Sequence, residues 1–169
     1  RNFFLVLLCL LVTMSGFAKS DKKLQFDVAD YTIELQVYSP EIVRVLKYPK
    51  QQRPEKNSFS VVLQPRKTAY KVSCENNVLI LTTSTVTIKA DMITGNIFYA
   101  DSEGNPLLKE KVSGMELISH QYGAEHTYLP KQTFQLDRDE TIYGLGQHQE
   151  GRMNQRNQHL HLQQTNMDI

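Results

Sequence analysis

The chain contains no tryptophan and only two cysteines among its 169 residues. One of them, Cys9, lies in an apolar run at the start. Cys74 therefore has no partner for an internal disulfide, and the fold must be held by its core. Cys74 also lacks a motif that would activate a thiol. With apolar Val72 on the same strand face, it reads as a packed core residue. Charge of one sign is missing too: 19 Lys+Arg stand against 18 Asp+Glu. A balanced chain has no electrostatic footprint for nucleic acid or anionic lipid. No apolar run reaches the roughly 20 residues that a membrane-spanning helix needs. A phosphate loop, a serine elbow and a Cys-His nucleophile signature are all absent, and nothing calls for a cofactor. What is present is 40% hydrophobic and 22% charged residues, enough for one packed core and unlike a disordered chain.

The two ends carry information of their own. Arg1-Asn2 precedes an apolar run from Phe3 to Val12, with Gly16 and Ala18 at the small-residue positions of a cleavage site. That is the plan of a secretory signal peptide. The expectation is a leader over residues 1–18, truncated at its start, and an N-terminal domain over 19–169. Losing Arg1 leaves 18 charges of each sign (19 − 1 = 18 basic). Export without disulfides suits a bacterial, periplasmic or secreted protein. The sequence stops at Thr165-Asn166-Met167-Asp168-Ile169 without a turn or cap, which reads as a fragment cut at both ends.

Between the ends, period-two alternation dominates. Thr32 to Tyr38 puts Ile33, Leu35 and Val37 on one face, as in a half-buried strand. Glu41 to Tyr48 is a second strand, and Lys50 to Asn57 a loop. Phe59 to Gln64 alternates again. Val78–Leu81, Thr85–Ile88 and Ile97–Tyr99 follow, separated by turn signals at Thr94-Gly95-Asn96 and Asp101 to Pro106. Further strands are expected at Met115–Ser119, Gln132–Leu136 and Thr141–Tyr143, with Asp137 to Glu140 as a solvated turn. No window offers a capped helix. Short strands at this spacing predict an all-β, antiparallel β-sandwich or barrel, and the missing crossover helices disfavour a parallel α/β fold.

Three features near the C-terminus carry candidate chemistry. Nine of the twenty residues from Gln147 to Asn166 are Asn or Gln. Such amides can hydrogen-bond sugar hydroxyls, or simply face water in a loop. His159 and His161 share a strand face, with His148 nearby, yet two histidines on a polar face are more often solvated than metal-bound. No metal is expected. Tyr143-Gly144-Leu145-Gly146-Gln147 follows a strand, but Gln149 stands where a dinucleotide fingerprint needs glycine. The paired glycines mark a tight turn or a close approach. No pair of carboxylates can be nominated for glycoside hydrolysis.

The run Tyr143-Gly144-Leu145-Gly146-Gln147 resembles the hallmark that closes the N-terminal β-sandwich domain of glycoside hydrolase family 31: aromatic, Gly, Leu, Gly, then Glu or Gln. Ile42-Val43-Arg44-Val45 is similar to that family's early strand. Thr94 to Asp101 followed by Gly104 resembles its turn, strand and turn. Leu162 to Ile169 looks like the linking segment of bacterial α-xylosidase-like members. The resemblance implies a galactose mutarotase-like sandwich. It implies a full-length secreted, retaining α-glycosidase, acting on α-xylosides or α-glucosides. The catalytic Asp residues would sit on a (β/α)8 barrel C-terminal to this domain, so no catalytic residue lies in the chain, and the fragment alone is expected to be inactive. Its partners would be that barrel and an oligosaccharide substrate. Where many members carry Trp-Asn/Asp-x-Asp against the sugar, this chain has Thr165-Asn166-Met167-Asp168, making Asn166 and Asp168 the substrate-contact candidates. Gln147 replaces the commoner Glu and is expected to bond backbone. Two other readings stand beside this one. A free carbohydrate-binding sandwich is weakened by the lack of tryptophan. A structural domain of an exported protein would bind no sugar.

Overall fold

The structure, a computed structural model, describes residues 23–54, 58–144 and 151–160. The signal-peptide segment, residues 1–18, lies outside them. Nine strands and no helix are present among the described residues. They form two antiparallel sheets. The first has the order β1 (Leu24–Val28), β2 (Tyr31–Ser39), β3 (Ile42–Pro49). The second runs β4 (Lys71–Glu75), β5 (Val78–Thr82), β6 (Val86–Asp91), β7 (Ile97–Asp101), β8 (Pro106–Tyr122), β9 (Glu125–Gln135).

Alternation explains how the sheets meet. On β2, Ile33, Leu35 and Val37 point inward and are buried. They join Val28 of β1, Leu81 of β5, Ile88 and Ala90 of β6 and Ile97 of β7 in one core. Leu24, Phe26, Val43, Val45 and Tyr99 pack around it. The expected β-sandwich is therefore observed. Burying each such aliphatic side chain stabilises the fold by about 1.5–3 kcal/mol. Cys74 on β4, opposite Leu79, is only half-buried.

Three sequence expectations need correction. Phe59 to Gln64 is not a strand; Phe59 and Val62 are exposed, and alternation found no neighbouring strand there. Thr141 to Tyr143 is not a strand either. Met115–Ser119 and Gln132 to Gln135 are parts of one long hairpin, β8–β9, rather than separate short strands, and Leu136 lies beyond its end. β1 was not anticipated, although Leu24, Phe26 and Val28 alternate inward along it.

Residues from Leu136 onward form a second compact unit. Its described part is held by its own backbone and amides. Glu140 N–H donates to Asp137 O at 3.2 Å, giving the expected turn. Gln155 N–H donates to Ile142 O at 2.7 Å. Arg156 Nη1 donates to Asp137 O at 2.8 Å and also to Glu140 O.

Candidate functional sites

The motif region is described only at its start. Tyr143 is exposed, and Gly144 has φ +95°. That is a backbone conformation only glycine adopts without strain. Among the described residues nothing lies within 4 Å of where a Cβ would stand on Gly144, and the positive φ alone favours glycine there. Leu145, Gly146 and Gln147 lie outside the described residues, as do Asn166, Asp168, His148 and His161. His159 is exposed. Among the described residues no group of three or more His, Cys, Asp or Glu is placed to hold a metal.

The amide-rich segment has a role the composition did not show. Asn154 Oδ1 accepts from Ile142 N–H at 3.2 Å and from Arg156 N–H at 3.0 Å. Gln155 is buried, and its Nε2 donates to Arg152 O at 3.1 Å. Arg152 Nη1 donates to Gln158 Oε1 at 3.1 Å. The Asn154 and Gln155 amides thus satisfy backbone groups of the loop.

The turns on either side of β7 share one construction. Asp91 Oδ1 accepts from Ile93 N–H (2.8 Å) and Thr94 N–H (2.9 Å), and Gly95 N–H closes on Asp91 O at 2.8 Å. Asp101 Oδ1 accepts from Glu103 N–H (2.9 Å) and Asn105 N–H (2.8 Å), while Asn105 Nδ2 reaches Oδ2 at 2.8 Å. The Asn105 side chain, with these amides, holds the Asp101 carboxyl below its ordinary range. Such Asp-centred turns fix the chain reversal without help from the core.

The first of these turns is where the sheets are fastened. Tyr31 of β2 donates to Thr94 O at 3.3 Å. Lys47 of β3 faces the interior, and its Nζ donates to Glu110 Oε2 at 2.6 Å, Gly95 O at 3.3 Å and Gln132 Oε1 at 3.2 Å. Glu110 Oε2 also accepts from Ile97 N–H at 2.9 Å. The Lys47 and Glu110 side chains are only 7% and 3% exposed. One buried ion pair thus ties β3 to β7, β8 and β9. No local pattern in the sequence marked it.

The opposite face of the three-stranded sheet is polar. Glu34 is 2% exposed. Arg53 grips it with two bonds, Nε to Oε2 at 2.9 Å and Nη2 to Oε1 at 3.2 Å, and Lys23 Nζ lies 3.3 Å from Oε1. The Arg53 hydrogen bonds lower the Glu34 pKa against the opposing effect of burial. Beside this pair is a cleft of about 310 Å³, lined on the sheet by Gln25, Asp27, Thr32 and Tyr48 and on the following loop by Lys50, Gln51 and Arg53. Thr32 Oγ1 donates to Asp27 Oδ1 at 2.7 Å. Tyr48 is 3% exposed, and its hydroxyl has no hydrogen-bond partner among the described residues.

Comparison with known proteins agrees with this architecture. The family profile described as "Glycosyl hydrolase 31 N-terminal galactose mutarotase-like domain" matches residues 32–168. Among solved structures, a GH31 alpha-xylosidase from Xanthomonas citri is similar, with a TM-score of 0.78 and 29% sequence identity. The match covers 87% of this chain and 16% of the xylosidase, so the chain spans about one-sixth of that protein's length. The two-sheet fold and the match over most of its length together show that the chain belongs to the N-terminal galactose mutarotase-like domain family of glycoside hydrolase family 31.

Proposed function

We propose that this chain is the N-terminal, non-catalytic sandwich of a secreted, retaining α-glycosidase. The full polypeptide removes terminal α-linked xylose or glucose from oligosaccharides, with its catalytic carboxylates on a C-terminal barrel. The observation that carries this reading is the match itself: 87% of the chain aligns with 16% of a GH31 alpha-xylosidase. The apolar run at residues 3–12 supports export of the protein. The hairpin β8–β9 supports a partner domain, because Ile118 and Leu129 face each other across it and are both exposed. Apolar surface of this kind is commonly covered in a larger assembly. Asn166 and Asp168 remain the residues proposed to reach substrate.

The coding sequence beyond Ile169 is the test. Continuation into alternating strands and helices over roughly 200 residues or more, with xylose or glucose released by the full-length protein, supports the reading. A stop codon soon after Ile169, or a continuation that is not a barrel, sinks it. The isolated chain is expected to release no sugar.

A further inference from the structure

The cleft on the outer face of the first sheet gathers polar groups around one buried hydroxyl that has no partner among the described residues. Tyr48 lies directly opposite Thr32 in the β2–β3 ladder, so both side chains share that face. Asp27 is opposite Thr32 on the other side, in the β1–β2 ladder. Thr32 uses one oxygen of Asp27; the other carries no bond among the described residues. The Lys50 ammonium and the Gln51 amide also line the cleft. Beneath them, the buried Tyr48 hydroxyl is an orphan. A buried hydroxyl without a partner costs about 1–3 kcal/mol. A site that leaves one in place is built to receive a hydrogen-bonding group.

The charge on the lining decides which group. Glu34 faces two cations, Arg53 through two hydrogen bonds and Lys23 at 3.3 Å, so the one positive charge left over sits with Lys23, outside the cleft lining. Lys50 offsets Asp27. The lining itself therefore presents no concentrated charge to an ion, and Asp27 opposes an anion while Lys50 opposes a cation. What remains is a mixture of hydroxyl, amide and carboxylate groups, which donate and accept alternately. That mixture matches a neutral polyol. The volume of about 310 Å³ lies at the small end of ligand pockets and suits a single sugar unit.

We propose that this cleft is a subsite for one neutral, polyhydroxylated unit, a pyranose, whose hydroxyl completes the hydrogen bonding of Tyr48. The proposal rests on the lining alone, and its failure would leave the family assignment untouched. No exposed aromatic ring lines the cleft to stack on the sugar, so binding is weak, in the millimolar range.

The test is amide NMR of the 169-residue chain, titrated separately with xylose, glucose and phosphate. Saturable shifts at Thr32, Tyr48, Gln51 and Arg53 with either sugar are expected, and none with phosphate. Tyr48→Phe removes the hydroxyl and should weaken sugar binding about fivefold without lowering the melting temperature. Gln51→Gly is the second variant. Gln51 is exposed and has φ +63°, which glycine adopts freely, so its loss of binding cannot be attributed to misfolding. Absence of saturable sugar shifts, shifts with phosphate in place of sugar, or binding unchanged in both variants overturns the proposal.

Discussion

Lys47 and Glu110 form an ion pair of 2.6 Å inside the sandwich, between residues 63 apart in sequence. Removing one partner of such a pair leaves an uncompensated buried charge, which costs about 3–5 kcal/mol. Lys47→Met should therefore destabilise strongly. Lys47→Met with Glu110→Gln should recover part of that loss, because the Gln carbonyl can still accept from Ile97 N–H while carrying no charge. Urea unfolding of the single and double variants measures the difference. Equal stability of the two would show that the charge on Glu110 is not what the lysine compensates.

Glu34 links stability to acid. Its pKa in the folded chain is lowered below the ordinary 4.5, chiefly by Arg53. The stabilisation is fully present above that ordinary value and is lost as the pH falls through the folded value. The urea midpoint should therefore drop as the pH falls below the ordinary 4.5. In Glu34→Gln, overall stability should be lower at neutral pH and the acid slope shallower. An unchanged slope would assign the acid sensitivity to other carboxylates.

The phenols act at the other end of the scale. Burial raises the pKa of Tyr31, Tyr48, Tyr70 and Tyr99 above 10.0, most of all at Tyr99, where Glu110 adds to the effect. A raised pKa gives stability that is complete below the unfolded value and declines above it. Unfolding by urea should thus become easier as the pH rises beyond about 10. Tyr99→Phe cannot ionise in either state, so it should flatten this decline.

Gly95 should not tolerate a side chain. Its φ is +73°, and a Cβ would stand 2.1 Å from the Tyr31 hydroxyl and 2.9 Å from Tyr31 Cζ. The backbone conformation alone costs a non-glycine residue about 1–2 kcal/mol. Gly95→Ala should lower the melting temperature by several degrees. Adding Tyr31→Phe should restore only part, because the ring carbon and the backbone conformation remain. Full restoration would show that the hydroxyl was the whole obstacle.

Much of this was legible from the amino acids, because alternation reports a buried face directly. Alternation places Ile33, Leu35 and Val37 on the inward face, and all three are buried. The turns at Thr94 to Asn96 and Asp101 to Pro106 announced themselves through Gly, Asn and Asp. Phe59 to Gln64 misled because alternation describes a face and not a ladder. One backbone bond near it, Arg66 N–H to Tyr38 O at 2.8 Å, does not make a strand. The long hairpin was hidden by an irregularity. Its register shifts between Glu110 and Met115, and a Cβ on Gly114 would collide with Lys111 O and Thr133 O, at 2.7 and 2.8 Å. That bulge broke the apolar pattern of β8 in two. The outer cleft was not legible at all. Tyr48 and Arg53 meet there only because the loop after β3 folds back over its own sheet.

The strand order has a consequence for how the chain acquires its shape. Within each sheet, every strand after the first neighbours the one made just before it, so each can pair as soon as it has been synthesised, without waiting for distant sequence. Most of the sandwich can therefore assemble progressively, from the N-terminus onward. The exception is the interior ammonium of Lys47, which must wait for Glu110 and Gln132. Completion of the buried polar network between the sheets is then a late event, made possible by the last hairpin.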